Sequence, residues 1–167
     1  MSSLGVHFAL NAQEVAQLRS LPDEKARLNH VKEVIEAIYF ENHPEWMAES
    51  DKSWDAMHRT LTDGRLSWDG GEYPLTHVVL GGELLYTQPD YIMSLKTPQQ
   101  VGDIAASLLT ITPEEFRRRY FAINADDYGF PLSEEDFDYT WEWFQGVSEL
   151  YQQAAKEGRF VLFTADQ

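Results

Sequence analysis

The sequence predicts an α+β, helix-dominated fold in a single domain spanning residues 1–167, with a small sheet of about three strands. Three observations carry this. Short apolar runs of strand character stand near the beginning, middle and end of the chain, at 4–10, 91–95 and 160–163. The intervening stretches show helical spacing opened by capping signals. Strands and helices do not alternate one for one, as a parallel βαβ sheet would demand, so the N-terminal, central and C-terminal strands are expected to form one sheet that brings the chain ends together.

Residues 4–10 put Leu4, Val6, Phe8 and Leu10 on one face and His7 on the other. Asn11 with Glu14 three residues on reads as a capping box, opening a helix to about Ser20. Leu21-Pro22-Asp23 starts a second helix, in which Leu28, Val31, Ile35 and Ile38, with Val34 alongside, predict a buried stripe reaching Tyr39. Asn42-His43-Pro44 ends it, because proline disfavours helix at the residue before it. A third helix is expected from Ser50 or Asp51 to Asp63-Gly64, where glycine supplies the stop.

Glycines then cluster at Gly64, Gly70-Gly71 and Gly81-Gly82, interleaved with Trp68, Tyr73 and Tyr86, which predicts loops with one short helix over 74–80. Beyond the 91–95 strand, Thr97-Pro98 with Gln100 and Thr112-Pro113 with Glu115 open helices over about 98–109 and 113–122. Ser133 opens the longest helix, whose first turn, Glu134-Glu135-Asp136, is acidic in the sense the helix dipole favours. Phe137, Trp141, Phe144 and Tyr151 trace one face of it, and Tyr139, Trp143 and Leu150 widen that face. Gly158 stops it, and the apolar run at 160–163 is expected to be a central or covered strand.

At 43% hydrophobic and 13% aromatic, 167 residues carry enough apolar material for one real core. Thirteen Lys and Arg against 28 Asp and Glu give a net charge of −15, which opposes nucleic-acid phosphates and anionic membranes. That charge suits a basic partner, although acidity also serves plain solubility. The lack of cysteine removes disulfides, thiolate metal sites and cysteine nucleophiles, and fits a reducing compartment. Met1-Ser2-Ser3-Leu4-Gly5-Val6 has no basic or long apolar segment, and no run approaches the roughly 18 apolar residues of a membrane helix. The expectation is a cytoplasmic protein with neither nucleic acid nor membrane as partner.

The most informative stretch is Lys52-Ser53-Trp54-Asp55-Ala56-Met57-His58. On a helix Trp54, Met57, His58 and Leu61 share one face, and Asp55 sits three residues before His58. A carboxylate orienting a nearby imidazole would make His58 a general base, so Asp55 and His58 are the catalytic candidates, with Lys52 as an electrostatic anchor. A structural role competes, with Trp54, Met57 and Leu61 as core and His58 at its boundary, because spacing ties no Ser, Thr or second acid to the pair.

His7, His30, His43, His58 and His77 lack metal-ligand spacing, and Asp126-Asp127-Tyr128-Gly129 lacks the alternating oxygens of a calcium loop, so no metal and no cofactor are expected. Gly81-Gly82 after Val78-Val79-Leu80 could admit a phosphate, yet without a following Lys-Ser/Thr it reads more simply as a tight turn. Polar groups converge best where the motif helix meets the glycine-rich loops. Lys52, Trp54, His77, Gly81 and Gly82 are therefore the binding candidates.

Taken together, the starting strand, Lys52-Ser53-Trp54-Asp55-x-Met57-His58, Pro74-Leu75 with Leu80-Gly81-Gly82, the strand leading into Thr97-Pro98 and the long last helix resemble the YfbM-like family of bacterial proteins, a domain of unknown function. Arg59-Thr60 departs from the more apolar neighbours usual there. The resemblance implies a cytoplasmic α+β bacterial protein and no established activity, catalytic residue or cofactor. The leading expectation is a non-catalytic acidic binding protein, of the immunity or inhibitor kind, taking a basic protein or a small molecule. The alternative is a small hydrolase- or transferase-like enzyme using Asp55 and His58.

Overall fold

The computed structural model describes residues 3–167. It contains β1 (Gly5–Leu10), α1 (Ala12–Arg19), a long helix made of α2 (Glu24–His30), a π turn (Val31–Ile35) and α3 (Glu36–Asn42), then β2 (Met47–Asp51) and α4 (Trp54–Leu61). A loop with one 3₁₀ turn (Leu75–His77) leads to β3 (Glu83–Tyr86) and β4 (Tyr91–Lys96). The chain closes with α5 (Pro98–Leu108), α6 (Pro113–Phe121), α7 (Ala125–Tyr128), α8 (Glu134–Lys156) and β5 (Phe160–Asp166). The predicted α+β class holds, but the sheet has five strands, all antiparallel, in the order β2-β1-β5-β4-β3.

The two unexpected strands are the edges. Residues 50–51, read as a helix start, belong to β2, which carries Glu49, Ser50 and Asp51; β3 is only four residues long and follows Gly82. Edge strands tolerate polar and short sequences because only one side is paired, and such sequences give little strand signal. The motif helix accordingly starts at Trp54. At the junction a side chain on Gly5 would lie 2.6 Å from the Ser50 hydroxyl and 2.7 Å from the Trp54 ring, so glycine lets β1 and β2 close up there.

Capping expectations are met in detail. Asn11 with Glu14, and Thr97 with Gln100, form reciprocal capping boxes, and Thr112 and Ser133 accept the N3 amides of their helices. In the second helix Leu28, Val31, Ile35 and Tyr39 are buried, whereas Val34 and Ile38 are 38% and 41% exposed, contrary to the predicted stripe. The cause is the π turn, in which the Glu36 amide bonds the Val31 carbonyl. Its wider turn rotates the later residues, so Tyr39 takes the inward place.

One sheet face turns Val6, Phe8, Leu10, Met93 and Leu162 towards α1, α2 and α3. The other turns Ala9, Val161, Phe163 and Ala165 towards α4, α5, α6 and α8. On this second face His7, Ser94 and Lys96 are also fully buried, and they meet the backbone of 78–81. His7 Nε2 donates to the Val78 carbonyl (2.7 Å), Lys96 Nζ to Val79 (2.6 Å), and Ser94 Oγ lies 2.8 Å and 3.0 Å from the carbonyls of Leu80 and Gly81. Tyr151 of α8 adds its hydroxyl to Val78 at 2.7 Å.

β5 pairs with both β1 and β4 and so joins the two halves of the sheet. Deleting residues 160–167 is expected to give insoluble or molten protein without native near-UV circular dichroism. A truncated chain that keeps the native near-UV spectrum would contradict this role.

Candidate functional site

The motif run leaves β2 through Asp51, which adopts a left-handed φ of +50°. Its carboxylate accepts the hydroxyl of Tyr139 from α8, and the Lys52 amide donates to that tyrosine hydroxyl oxygen at 3.2 Å. Short polar Asp tolerates that backbone better than most residues. α4 then begins, and its polar groups do not pair as the sequence suggested. Asp55 Oδ1 accepts from Arg59 Nε at 2.6 Å across one helical turn, and Arg59 Nη1 reaches Asp127 Oδ2 at 2.5 Å. The guanidinium also lies 5.5 Å over the Tyr128 ring. Thus Arg59 is buried because two carboxylates and an aromatic face meet it, which the apolar-position argument could not anticipate. Burial raises the Asp55 pKa, against the opposing pull of Arg59.

His58 turns the other way. Its Nε2 lies 2.9 Å from the Ser67 carbonyl, which can only accept, so Nε2 carries the proton. Nδ1 is closed off from solvent and has no partner among the described residues. His7 repeats the arrangement, with Nε2 on Val78 and Nδ1 bare. Burial depresses both imidazoles, His7 to about 3 with help from the Lys96 amine, and His58 to about 4 against its hydrogen bond to Ser67. A second proton on either ring would find no acceptor. The spacing that put Asp55 beside His58 therefore yields no dyad.

Trp54 is 4% exposed, packs 5.8 Å from the Phe163 ring and donates its indole N–H to the Ser3 carbonyl at 2.6 Å. His77 is half-buried, with Nδ1 2.9 Å from the Thr76 hydroxyl. Burial, then Lys96, lowers its pKa. A side chain on Gly81 would strike the Thr76 carbonyl at 2.5 Å, and one on Gly82, at φ +136°, the Leu95 carbonyl at 2.5 Å. These glycines serve close backbone approach inside the fold.

An open groove lies over the edge of Trp54 and Leu66. One lobe, of about 330 Å³, is lined by Trp68, Leu84, Tyr86 and Ile92 and by no charged side chain. The other, of about 470 Å³, is lined by Tyr128, Phe130 and Tyr139 with the carboxylates of Asp55 and Asp136 and the ammonium of Lys52. Both include Trp54, Leu66 and Gln167. The groove brings together Lys52, Trp54 and Asp55 of the predicted residues; His58, His77, Gly81 and Gly82 line neither lobe. Among the described residues, no group of three or more His, Asp or Glu side chains is placed to hold a metal, and no helix is long and apolar enough to cross a membrane.

A family model described as a domain of unknown function, DUF1877, matches residues 1–164. The chain belongs to the DUF1877 family. It is similar to the crystal structure of a protein of unknown function, YfbM from Escherichia coli, at 20% identity and a TM-score of 0.61, over 97% of this chain and 99% of that one. Among curated proteins none matches. The structural likeness extends the DUF1877 assignment to the fold alone.

In this DUF1877 chain the groove residues that sequence reasoning did not single out are Leu66, Tyr128, Phe130 and Asp136. Asp136, in the acidic first turn of α8, accepts on Oδ2 the hydroxyls of Tyr120 (2.5 Å) and Tyr128 (2.9 Å). The available signal was the aromatic residues set among glycines and acids at 66–73 and 126–130, where no core periodicity accounts for them.

Replacing Trp54 with Ala is expected to cost about 3–5 kcal/mol of stability in urea titration, the range for emptying a large aromatic core site. A loss below about 1 kcal/mol would mark the indole as mainly ligand-facing. The histidines predict a pH dependence. Each is neutral in the fold but titrates near 6.5 when unfolded, so the unfolded chain gains protons first as the pH falls. Their contribution is complete above about 6.5 and declines towards about 4 for His58 and about 3 for His7, by up to about 1.4 kcal/mol per pH unit each. His58→Gln should flatten the stability profile between about pH 6 and 4.5 by about one proton. An unchanged slope would show that His58 titrates normally in the fold.

Proposed function

We propose that this protein acts by binding, without catalysis, and that its partner is a basic protein. The observation that carries this reading is the groove itself. In a chain that buries nearly all of His58, the groove leaves Leu66, Trp68 and Phe130 at 36%, 51% and 64% exposure. Apolar side chains left open together beside polar groups are characteristic of interaction surfaces. The net charge of −15 selects the sign of the partner, steering positively charged proteins towards the surface and turning away nucleic acid and anionic membrane. A cytoplasmic setting and an inhibitor-like or immunity-like role belong to the same reading.

The enzyme alternative loses ground on geometry. A general base must reach its substrate's proton, and the unprotonated nitrogen of His58 is enclosed, with Asp55 committed to Arg59. Only a rearrangement of α4 would assemble the pair.

Affinity capture from the host's own extract tests the proposal. The immobilised full chain is expected to retain a protein of positive calculated charge, identified by mass spectrometry, and to release it as salt rises from about 0.05 to 0.5 M. His58→Gln should retain it equally. An acidic partner, or one held regardless of salt, would overturn the reading, as would turnover of any substrate that His58→Gln abolishes.

A further inference from the structure

Resting on that binding reading, we infer that the groove seats an extended segment of the basic partner, with an arginine or lysine side chain in the acid lobe and an apolar side chain in the uncharged lobe. The two lobes differ in chemistry as the two ends of such a segment would. In the acid lobe the lining charges are the carboxylates of Asp55 and Asp136 against the ammonium of Lys52. Arg59, close by, is committed to Asp55, Asp127 and the Gly64 carbonyl.

Both carboxylates keep acceptor capacity. Asp55 spends Oδ1 on Arg59 and Asp136 spends Oδ2 on two tyrosine hydroxyls, while Asp55 Oδ2 and Asp136 Oδ1 take no hydrogen bond among the described residues. Tyr128, Phe130 and Tyr139, which line the same lobe, add what a cation with an apolar stem prefers: aromatic contact along the stem. The other lobe offers Trp68, Leu84 and Ile92 with no charged side chain to desolvate, and suits a leucine-like or aromatic side chain.

Trp54 and Leu66 belong to both lobes, so an occupant that fills them together is elongated, which argues for a chain segment over a compact metabolite. A second copy of this protein would bring another −15 to the acid lobe and is disfavoured on charge.

The test uses short acetylated and amidated peptides carrying one leucine and one arginine at several spacings, with citrulline for arginine as the uncharged control, titrated calorimetrically into the full chain. At least one arginine peptide should bind below about 1 mM and at least about tenfold more tightly than its citrulline twin. Phe130→Ala and Trp68→Ala, both at exposed positions and checked for native circular dichroism, should each weaken binding about fivefold or more.

Equal binding of the arginine and citrulline peptides would overturn the inference, as would no binding by any peptide or binding indifferent to both substitutions. Arginine amide binding as tightly as the peptides would also overturn it, leaving a small-cation site. If the peptides fail while a salt-sensitive basic partner is still captured from extract, this surface is wrong and the binding reading stands. If the peptides bind as expected and no partner is captured, the groove assignment stands and the basic-protein function falls.

Discussion

The structure depends on how it disposes of four backbone carbonyls. The segment 78–81 runs through the interior, where each unpaired carbonyl would cost about 1–3 kcal/mol. Side chains, not a backbone ladder, supply its partners. β1 contributes His7, β4 contributes Ser94 and Lys96, and α8 contributes Tyr151, each with a donor aimed at one of these oxygens. A lysine amine with no carboxylate partner among the described residues is an expensive group to bury, and burial holds its pKa well below the usual range. Its three hydrogen bonds, to Val79 O, Ser94 O and Ser94 Oγ, are what make it tolerable. The segment and the donors are thus mutually required. Because Leu80 lines the uncharged lobe, the same clasp fixes one wall of the groove.

Arg59 performs the corresponding task on the other side. It ties α4 to the turn after Leu61 through the Gly64 carbonyl and to α7 through Asp127, and so sets Tyr128 where the acid lobe needs an aromatic wall. Asp55 is drawn into this arrangement at i,i+4, and that choice removes it from His58 at i,i+3. The competition is between a permanent cation and an imidazole whose one N–H is already taken by Ser67. A guanidinium with its fixed fork of donors is the stronger claimant for a half-buried carboxylate.

Much of the fold was legible because its signals are local. A capping box involves residues three apart, as at Asn11 and Glu14, and proline at a first helical position needs no tertiary context. The central strands read clearly because both faces are covered and most of their residues are apolar. The edges did not, since β2 and β3 draw their strand character from β1 and β4, not from their own composition. The π turn escaped for a similar reason: its consequence, Ile38 out and Tyr39 in, is set by packing against the sheet. At the candidate site, proximity of Asp55 and His58 along the helix was correctly read, while the third residue that decides their chemistry, Arg59, was visible in the sequence only as a departure from apolar neighbours. Lys96 could not be found by pattern at all, because the loop that buries it meets it at Val79, 17 residues earlier in the chain.

Charge and groove have to be understood together. An apolar groove on a neutral protein invites its own copies, and an exposed strand edge does the same. Here the outer edge of β3 is closed by Arg27, which donates to the Leu85 carbonyl, and by the Arg19–Glu83 pair. The groove is left open, and the protection it has is electrostatic, since a second molecule carrying −15 is repelled before Trp68 or Phe130 can meet an apolar patch. On the proposed reading the same charge that repels like molecules attracts a positively charged segment. Specificity of this kind needs few precise contacts in the rim. It places the demand for fit on the two lobes, where the carboxylates with unspent oxygens and the uncharged apolar wall discriminate among segments that arrive.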